Sequence, residues 1–371
     1  MHPYVHGTTV EQWLLQFNTR PIGHSFLGKP IRSVHWGEGP LRILVWSQMH
    51  GNESTGLRAM MKLLSEWASH KDHPLFSKLT IVYIPQLNPD GAGNWTRRNA
   101  QNIDLNRDLR SKQTPEIQCF VRLLDEFRPD IALNLHDQRT FFSQKGHGEP
   151  SSLALAIPEA SESLSTDPGI INNRRFLRDY ILQMYNSTEP SELEGWSVFD
   201  ESYYPRSIGE YVQESGCATL LVESGVVGTD LSRSLSVQQT KSFLKMFLNG
   251  LSVDLLSHDR TADTHLDGIQ AWPFPKNEQG IIDLKVQSAR IQCFGKSWET
   301  DLAIWLKDAY RDGKPCFIPI LHDVGDLRHL SSRVTLERVE LRIEEKDLFT
   351  GSPITFWPQL KGRTPWADIE V

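Results

Sequence analysis

Ile43-Leu44-Val45-Trp46-Ser47-Gln48-Met49-His50-Gly51-Asn52-Glu53-Ser54-Thr55-Gly56 begins as an apolar, strand-like run, passes through a polar turn, and leads into a helical pattern from Leu57 through Leu64. His50 and Glu53 therefore sit where a strand gives way to a helix, the edge at which open α/β sheets gather ligands and catalytic groups. Gly51 lets the backbone bend sharply between them. An imidazole nitrogen and a carboxylate oxygen three residues apart make a good pair of zinc ligands. Each residue also has an ordinary structural role open to it: His50 can close the strand end, and Glu53 suits the positive end of the helix dipole.

Strands and helices alternate on either side of this stretch. Pro30–Trp36, Leu41–Trp46, Leu79–Leu87, Asp130–Leu135, Leu153–Ile157 and Ala218–Val222 read as strands. Thr9–Phe17, Leu57–Trp67, Thr114–Phe127, Ile170–Tyr185, Ile208–Glu214 and Leu231–Leu251 read as helices. Gly23–Gly28 reads as a polar turn, Gly37-Glu38-Gly39-Pro40 as a hairpin turn into Leu41–Trp46, and Asn88-Pro89-Asp90-Gly91 as a turn. The pattern predicts an α/β fold, a mixed but largely parallel sheet sandwiched by helices, whose strands are apolar because both faces are covered. From about Ser257 the texture changes. Ile282–Val286 and Val334–Ile343 alternate like strands, and Leu302–Tyr310 reads as a helix. Two domains are expected: residues 1–256, which carry the candidate chemistry, and a smaller β-rich domain over 257–371 to which none is assigned.

Length and composition narrow the function classes. The chain has 371 residues, 39% hydrophobic and 23% charged, with a net charge of −7, which argues against a general nucleic-acid binder. No apolar run approaches the length of a membrane span. The opening Met1–His6 has neither the basic start nor the apolar middle of a secretory signal. Cys119, Cys217, Cys293 and Cys316 lie far apart in apolar segments, which fits buried free thiols and a cytoplasmic setting.

Three strand ends carry the residues of interest. His50 and Glu53 follow one, His136 follows Ile131-Ala132-Leu133-Asn134-Leu135, and Glu223 follows Leu220-Leu221-Val222. In one parallel sheet these ends share an edge. Two histidines and one glutamate are a ligand set for a catalytic zinc that keeps a fourth position open for water, and a further carboxylate, Glu223, can serve that water as general base. Taken singly, a histidine at a strand end is more often a satisfied polar residue, and Glu223 can equally cap a helix or pair with an arginine. The polar stretch with Arg97-Arg98-Asn99 and Asp104-Leu105-Asn106-Arg107-Asp108 offers guanidinium groups that can grip a carboxylate or polarise a carbonyl, or simply form a solvated basic loop.

As a set, His50-Gly51-Asn52-Glu53, Asn88-Pro89-Asp90-Gly91, Arg97 with Asp104-Leu105-Asn106-Arg107, Leu135-His136 and Val222-Glu223-Ser224-Gly225 resemble the zinc carboxypeptidases, over roughly residues 20 to 250. The superfamily also holds the aspartoacylase and succinylglutamate desuccinylase amidohydrolases. The resemblance implies one Zn2+ per chain held by His50, Glu53 and His136, with Glu223 as the base that activates water and later protonates the leaving amine. It implies Arg97 for the oxyanion and Asn106 and Arg107 for the terminal carboxylate of the substrate. It also implies a tyrosine from a mobile loop, here Tyr204 with Tyr203 as its rival. The expected partner is a peptide or small amide with a free carboxylate, with no nucleic acid and no membrane, and the oligomeric state is left open. Hydrolysis of a C-terminal peptide bond is the first function this implies. Deacylation of a small N-acyl amino acid is the second, and a zinc-free binding module on the same fold is the third.

Overall fold

The computed structural model describes residues 2–69, 73–138, 142–144, 148–251, 271–369 and 371. Its larger part is an eight-stranded sheet, ordered β1 (Asn18–His24), β2 (Pro30–Trp36), β4 (Leu79–Ile84), β3 (Leu41–Trp46), β5 (Ile131–Asp137), β9 (Ala218–Ser224), β7 (Leu153–Ala156) and β8 (Trp196–Val198). The four central strands β4, β3, β5 and β9 run parallel, and antiparallel pairs occur towards the edges.

Side-chain alternation shows why the strands read as continuous apolar runs. Ile43 and Val45 of β3 point into one core, with α1 (Gly7–Leu14), α2 (Thr55–Ala68), α5 (Pro168–Asn186) and α7 (Ser234–Gly250). Leu44 and Trp46 point into the other, with α4 (Pro115–Phe127) and α6 (Ile208–Glu214). Both faces are buried, as a covered parallel sheet requires. α4 carries the start signals read from its sequence: the Thr114 side chain accepts from the Ile117 amide, and Pro115 occupies the first turn.

From β3 the chain passes through α2 to β4 on one side, then crosses back to β5 on the other. The carboxyl ends of β3 and β5 thus flank a topological switch point, where an open α/β sheet leaves a crevice.

Several local readings need correction. Gly37–Pro40 is no hairpin turn, because β4 lies between β2 and β3 and pairs with both. Short-range turn chemistry carries no information about a strand inserted later. Residues read as a polar turn from Gly23 are in part the end of β1, which pairs with β2 and is an edge strand among the described residues. Asn88-Pro89-Asp90-Gly91 opens a short helix, α3 (Pro89–Gly93), whose cap is the Asn88 side chain accepting from the Gly91 amide. Leu302–Tyr310 lies within a strand, β12 (Lys296–Arg311), where the buried Leu302, Ile304 and Leu306 follow a period of two.

The C-terminal region is β-rich, as expected. β12 pairs with β11 (Ile281–Cys293) and β13 (Lys314–Gly325), and β11 pairs in parallel with β14 (Ser331–Glu337) and β15 (Glu340–Arg342). Its core is separate from the two that cover the large sheet and includes the helix α8 (Trp357–Lys361). The expected boundary at 256/257 lies outside the described residues. Contacts tie the two regions together: Trp95 donates to Asp308, Trp366 to the Thr229 carbonyl, and β10 (Asn277–Gln279) pairs with β6 (Phe142–Gln144). None of the described helices is long and apolar enough to cross a membrane.

Inside the C-terminal core, Arg333 donates to Asp283 at 2.6 Å with both side chains almost fully buried, and Asp283 also accepts from the Leu306 amide. Removing one partner of such a pair strands a buried charge. Asp283→Ala should lower stability by about 3–5 kcal/mol in chemical denaturation.

Candidate metal centre and cleft

The turn after β3 is shaped for close approach. Gln48 adopts a left-handed conformation, and its side-chain amide donates to the Gly51 carbonyl at 2.9 Å. A Cβ on Gly51 would stand 2.0 Å from the Gly91 carbonyl carbon, so only glycine lets this turn pack on α3. The turn delivers His50 and Glu53 to the crevice, and β5 delivers His136 from the neighbouring strand end.

His50, Glu53 and His136 form the one group of potential metal ligands found among the described residues, with one donor atom from each all within 4.8 Å of one another. Glu53 Oε1 lies 2.9 Å from His50 Nδ1, Glu53 Oε2 lies 2.8 Å from His136 Nδ1, and the two Nδ1 atoms are 3.1 Å apart. All three side chains are buried. Asp104 accepts from His50 Nε2 at 3.1 Å, which leaves the Nδ1 lone pair free to face the other donors. Two imidazole nitrogens and a carboxylate aimed at one point are the donor set that a zinc ion takes, so these residues fit the expected group.

A metal-binding imidazole is ordinarily steadied by an acceptor on its other nitrogen, and Asp104 is that acceptor for His50. His136 Nε2 is buried and finds no hydrogen-bond partner among the described residues. Asp137, the next residue, instead accepts from the Thr55 amide and hydroxyl.

Burial works against charge on His50, but Glu53 and Asp104 outweigh it and raise its pKa. Burial also opposes charge on Glu53, and the two imidazoles overcome it and hold that carboxyl well below the usual range. Glu223 faces His136 in register across β5 and β9. Burial lifts its carboxyl to about 7, with the neighbouring acids Glu53 and Asp137 adding to the rise.

The remaining sequence-predicted residues line the same cleft, of about 590 Å³: Arg97, Asn106, Arg107 and Tyr204. Arg97 is held by Asp104 at 3.0 Å and reaches within 3.2 Å of His50 Nδ1. The Asn106 side chain accepts from the Ile208 amide at the start of α6. Arg107 lies beside the Tyr204 ring, 5.8 Å from its centre, and the Tyr204 hydroxyl donates to Asp200. Tyr203 does not line the cleft; its hydroxyl is engaged by Glu214 and Arg110.

Two further residues were not singled out from the sequence. Asp104 stands in the sequence as one member of a motif, yet it braces both His50 and Arg97. Arg233 is buried and donates to Thr55 Oγ1, the Gln138 carbonyl and the Ser224 and Gly225 carbonyls. One guanidinium thus ties the segments behind Glu53, His136 and Glu223. It falls in the first turn of the helix read from Leu231 and is in fact the residue before α7, with left-handed backbone.

Residues 16–137 match the family model described as zinc carboxypeptidase. Probable carboxypeptidase 2 of Arthroderma benhamiae is 34% identical over 139 residues, 35% of this chain and 25% of that protein. Carboxypeptidase 2 of Trichophyton rubrum is 33% identical over the same length and shares. The match thus spans about a quarter of the length of these relatives. Among solved structures, bovine thrombin-activatable fibrinolysis inhibitor, in complex with a tick carboxypeptidase inhibitor, aligns with a TM-score of 0.51 and 11% identity over 68% of this chain and 98% of that one. At that identity the likeness is one of fold.

Asp104→Asn should weaken zinc binding roughly 10- to 100-fold by competition against a chelator, because the carboxylate behind His50 is lost while the three donors remain.

Proposed function

With residues 16–137 matched to the zinc carboxypeptidases as premise, we propose that this chain is a zinc-dependent carboxypeptidase that hydrolyses the C-terminal bond of a peptide. The observation that carries the reading is the convergence of His50 Nδ1, His136 Nδ1 and the Glu53 carboxylate at the switch point, with Glu223 in register beside His136. His50, Glu53 and His136 would hold zinc, which when bound supplies a Lewis acid for the scissile carbonyl and makes the attacking water more acidic.

The chain's own residues account for the rest. The Glu223 carboxylate takes a proton from the attacking water and returns it to the leaving amine. Arg97, anchored by Asp104, offers fixed positive charge where the carbonyl oxygen becomes negative. Arg107 and Asn106 grip the free carboxylate, a task for which a planar guanidinium is better suited than an ammonium. Tyr204, exposed at the rim, closes over the bound residue. A cytoplasmic setting belongs to the same proposal, and what supports it is that Cys119, Cys217 and Cys293 are buried thiols in no disulfide among the described residues.

The test is release of the terminal residue from N-blocked dipeptides, beside release of the acyl group from small N-acyl amino acids. Peptides should be the better substrates, and cleavage of N-acyl amino acids alone would contradict the reading. Glu223→Gln should keep its zinc and lose on the order of 10²–10⁴-fold in kcat. Near-normal turnover in that variant would remove Glu223 from its role. Arg107→Ala should cost about tenfold to a hundredfold in kcat/KM for substrates with a free carboxylate, and far less for their amides. Equal loss on both would discard the clamp.

A further inference from the structure

The floor of the cleft is set by strand register. Asn134 of β5 pairs with Leu221 of β9, and Leu221 pairs with Ala156 of β7, so the three stand in a row. Asn134 lies two residues before His136 and Leu221 two before Glu223, and alternation puts both on the cleft face. Gly209 and Glu210, at the start of α6, close the other side with Pro158. A Cβ on Gly209 would come within 3.1 Å of Pro158 and 3.6 Å of the Asn134 amide, so this glycine keeps the space open.

Two polar groups in this space are incompletely compensated: one lacks a hydrogen-bond donor and the other, among the described residues, an ion-pair partner. Asn134 is 3% exposed, and its Oδ1 is buried with no hydrogen-bond partner. Glu210 is 7% exposed. Its carboxyl accepts from backbone amides, Tyr204's at 3.2 Å and its own, and among the described residues it forms no salt bridge. Arg107, which lines the same cleft, is near enough to pull on the Glu210 charge but not to pair with it.

We propose that Asn134 and Glu210 recognise the side chain of the substrate's C-terminal residue, and that this side chain ends in a hydrogen-bond-donating cation, as lysine and arginine do. The inference rests on the carboxypeptidase reading. Once Arg107 holds the terminal carboxylate, the side chain of that same residue must go into the adjoining space. Leu221, Ala156 and Pro158 offer apolar cover for a methylene stem, and the acceptors wait at its end. Burial raises the empty Glu210 carboxyl to about 7. A cation beside it relieves that cost and keeps the carboxylate charged. An apolar side chain leaves the Asn134 oxygen without a donor and the Glu210 carboxylate without a cation.

Benzoyl-glycyl dipeptides that differ only in their last residue test this: lysine, arginine, norleucine, glutamine and glutamate. Norleucine matches the lysine stem without its ammonium. Lysine or arginine should exceed norleucine in kcat/KM by about tenfold or more. In Glu210→Gln the lysine-to-norleucine ratio should fall towards unity, a readout that general damage to the fold would not move. Norleucine, glutamine or glutamate equal to or better than the basic residues would overturn the proposal, as would an unchanged ratio in the variant. A second arm needs no turnover: calorimetric titration of the protein with free L-lysine and with free L-norleucine. Tighter binding of lysine supports the site, and equal or weaker binding overturns it. If no dipeptide is cleaved, the carboxypeptidase reading falls, while the titration still decides the recognition site.

Discussion

The structure turns on a buried carboxylate. Glu53 is 6% exposed and ionised in a place where an unpaired charge would cost several kcal/mol. It is tolerated because His50 and His136 meet its two oxygens and the Asp137 amide donates to one of them. Those partners come from different strand ends, so the cluster forms only when β3 and β5 are neighbours and in register. The crossover that puts β4 on one side of β3 and β5 on the other makes them so.

Outward from that cluster, charge is compensated in layers. Asp104 sits behind His50 and also grips Arg97. Arg233 sits behind Asp137, at 3.4 Å, and holds the carbonyls that follow Glu223. Gly225 is needed there for space, since a Cβ would meet the Ser151 carbonyl at 1.7 Å. The C-terminal region reaches this layer too. Asn277 of β10 donates to Gln138, two residues past His136, and lines the cleft itself. The region beyond the large sheet is therefore part of the wall against which a substrate would rest.

Much of this was legible in the sequence, for a physical reason. Apolar runs covered on both faces stand out, and polar residues at their ends are conspicuous, which is how His50, Glu53, His136 and Glu223 drew notice. What stayed hidden was set by distant partners. Asn134 is enclosed in an apolar strand and reads as one position of it until register places it beside Leu221. Glu210 reads as an ordinary first-turn acid of α6. Arg233 reads as an ordinary first-turn residue of a helix because its role depends on carbonyls that the sequence places elsewhere. Leu302–Tyr310 of β12 reads as a helix because the adjacent Lys307 and Asp308 blur a period of two. The choice between Tyr203 and Tyr204 needed coordinates, since an irregular loop has no period to set which side chain faces in.

Zinc content tests the metal-centred site most directly. The purified chain, dialysed against a zinc salt and then against buffer, should hold about one zinc per molecule by metal mass spectrometry. The His50→Ala, His136→Ala double variant, treated alike, should hold almost none. A wild-type chain that retains no zinc, or a double variant that retains as much as wild type, would contradict it.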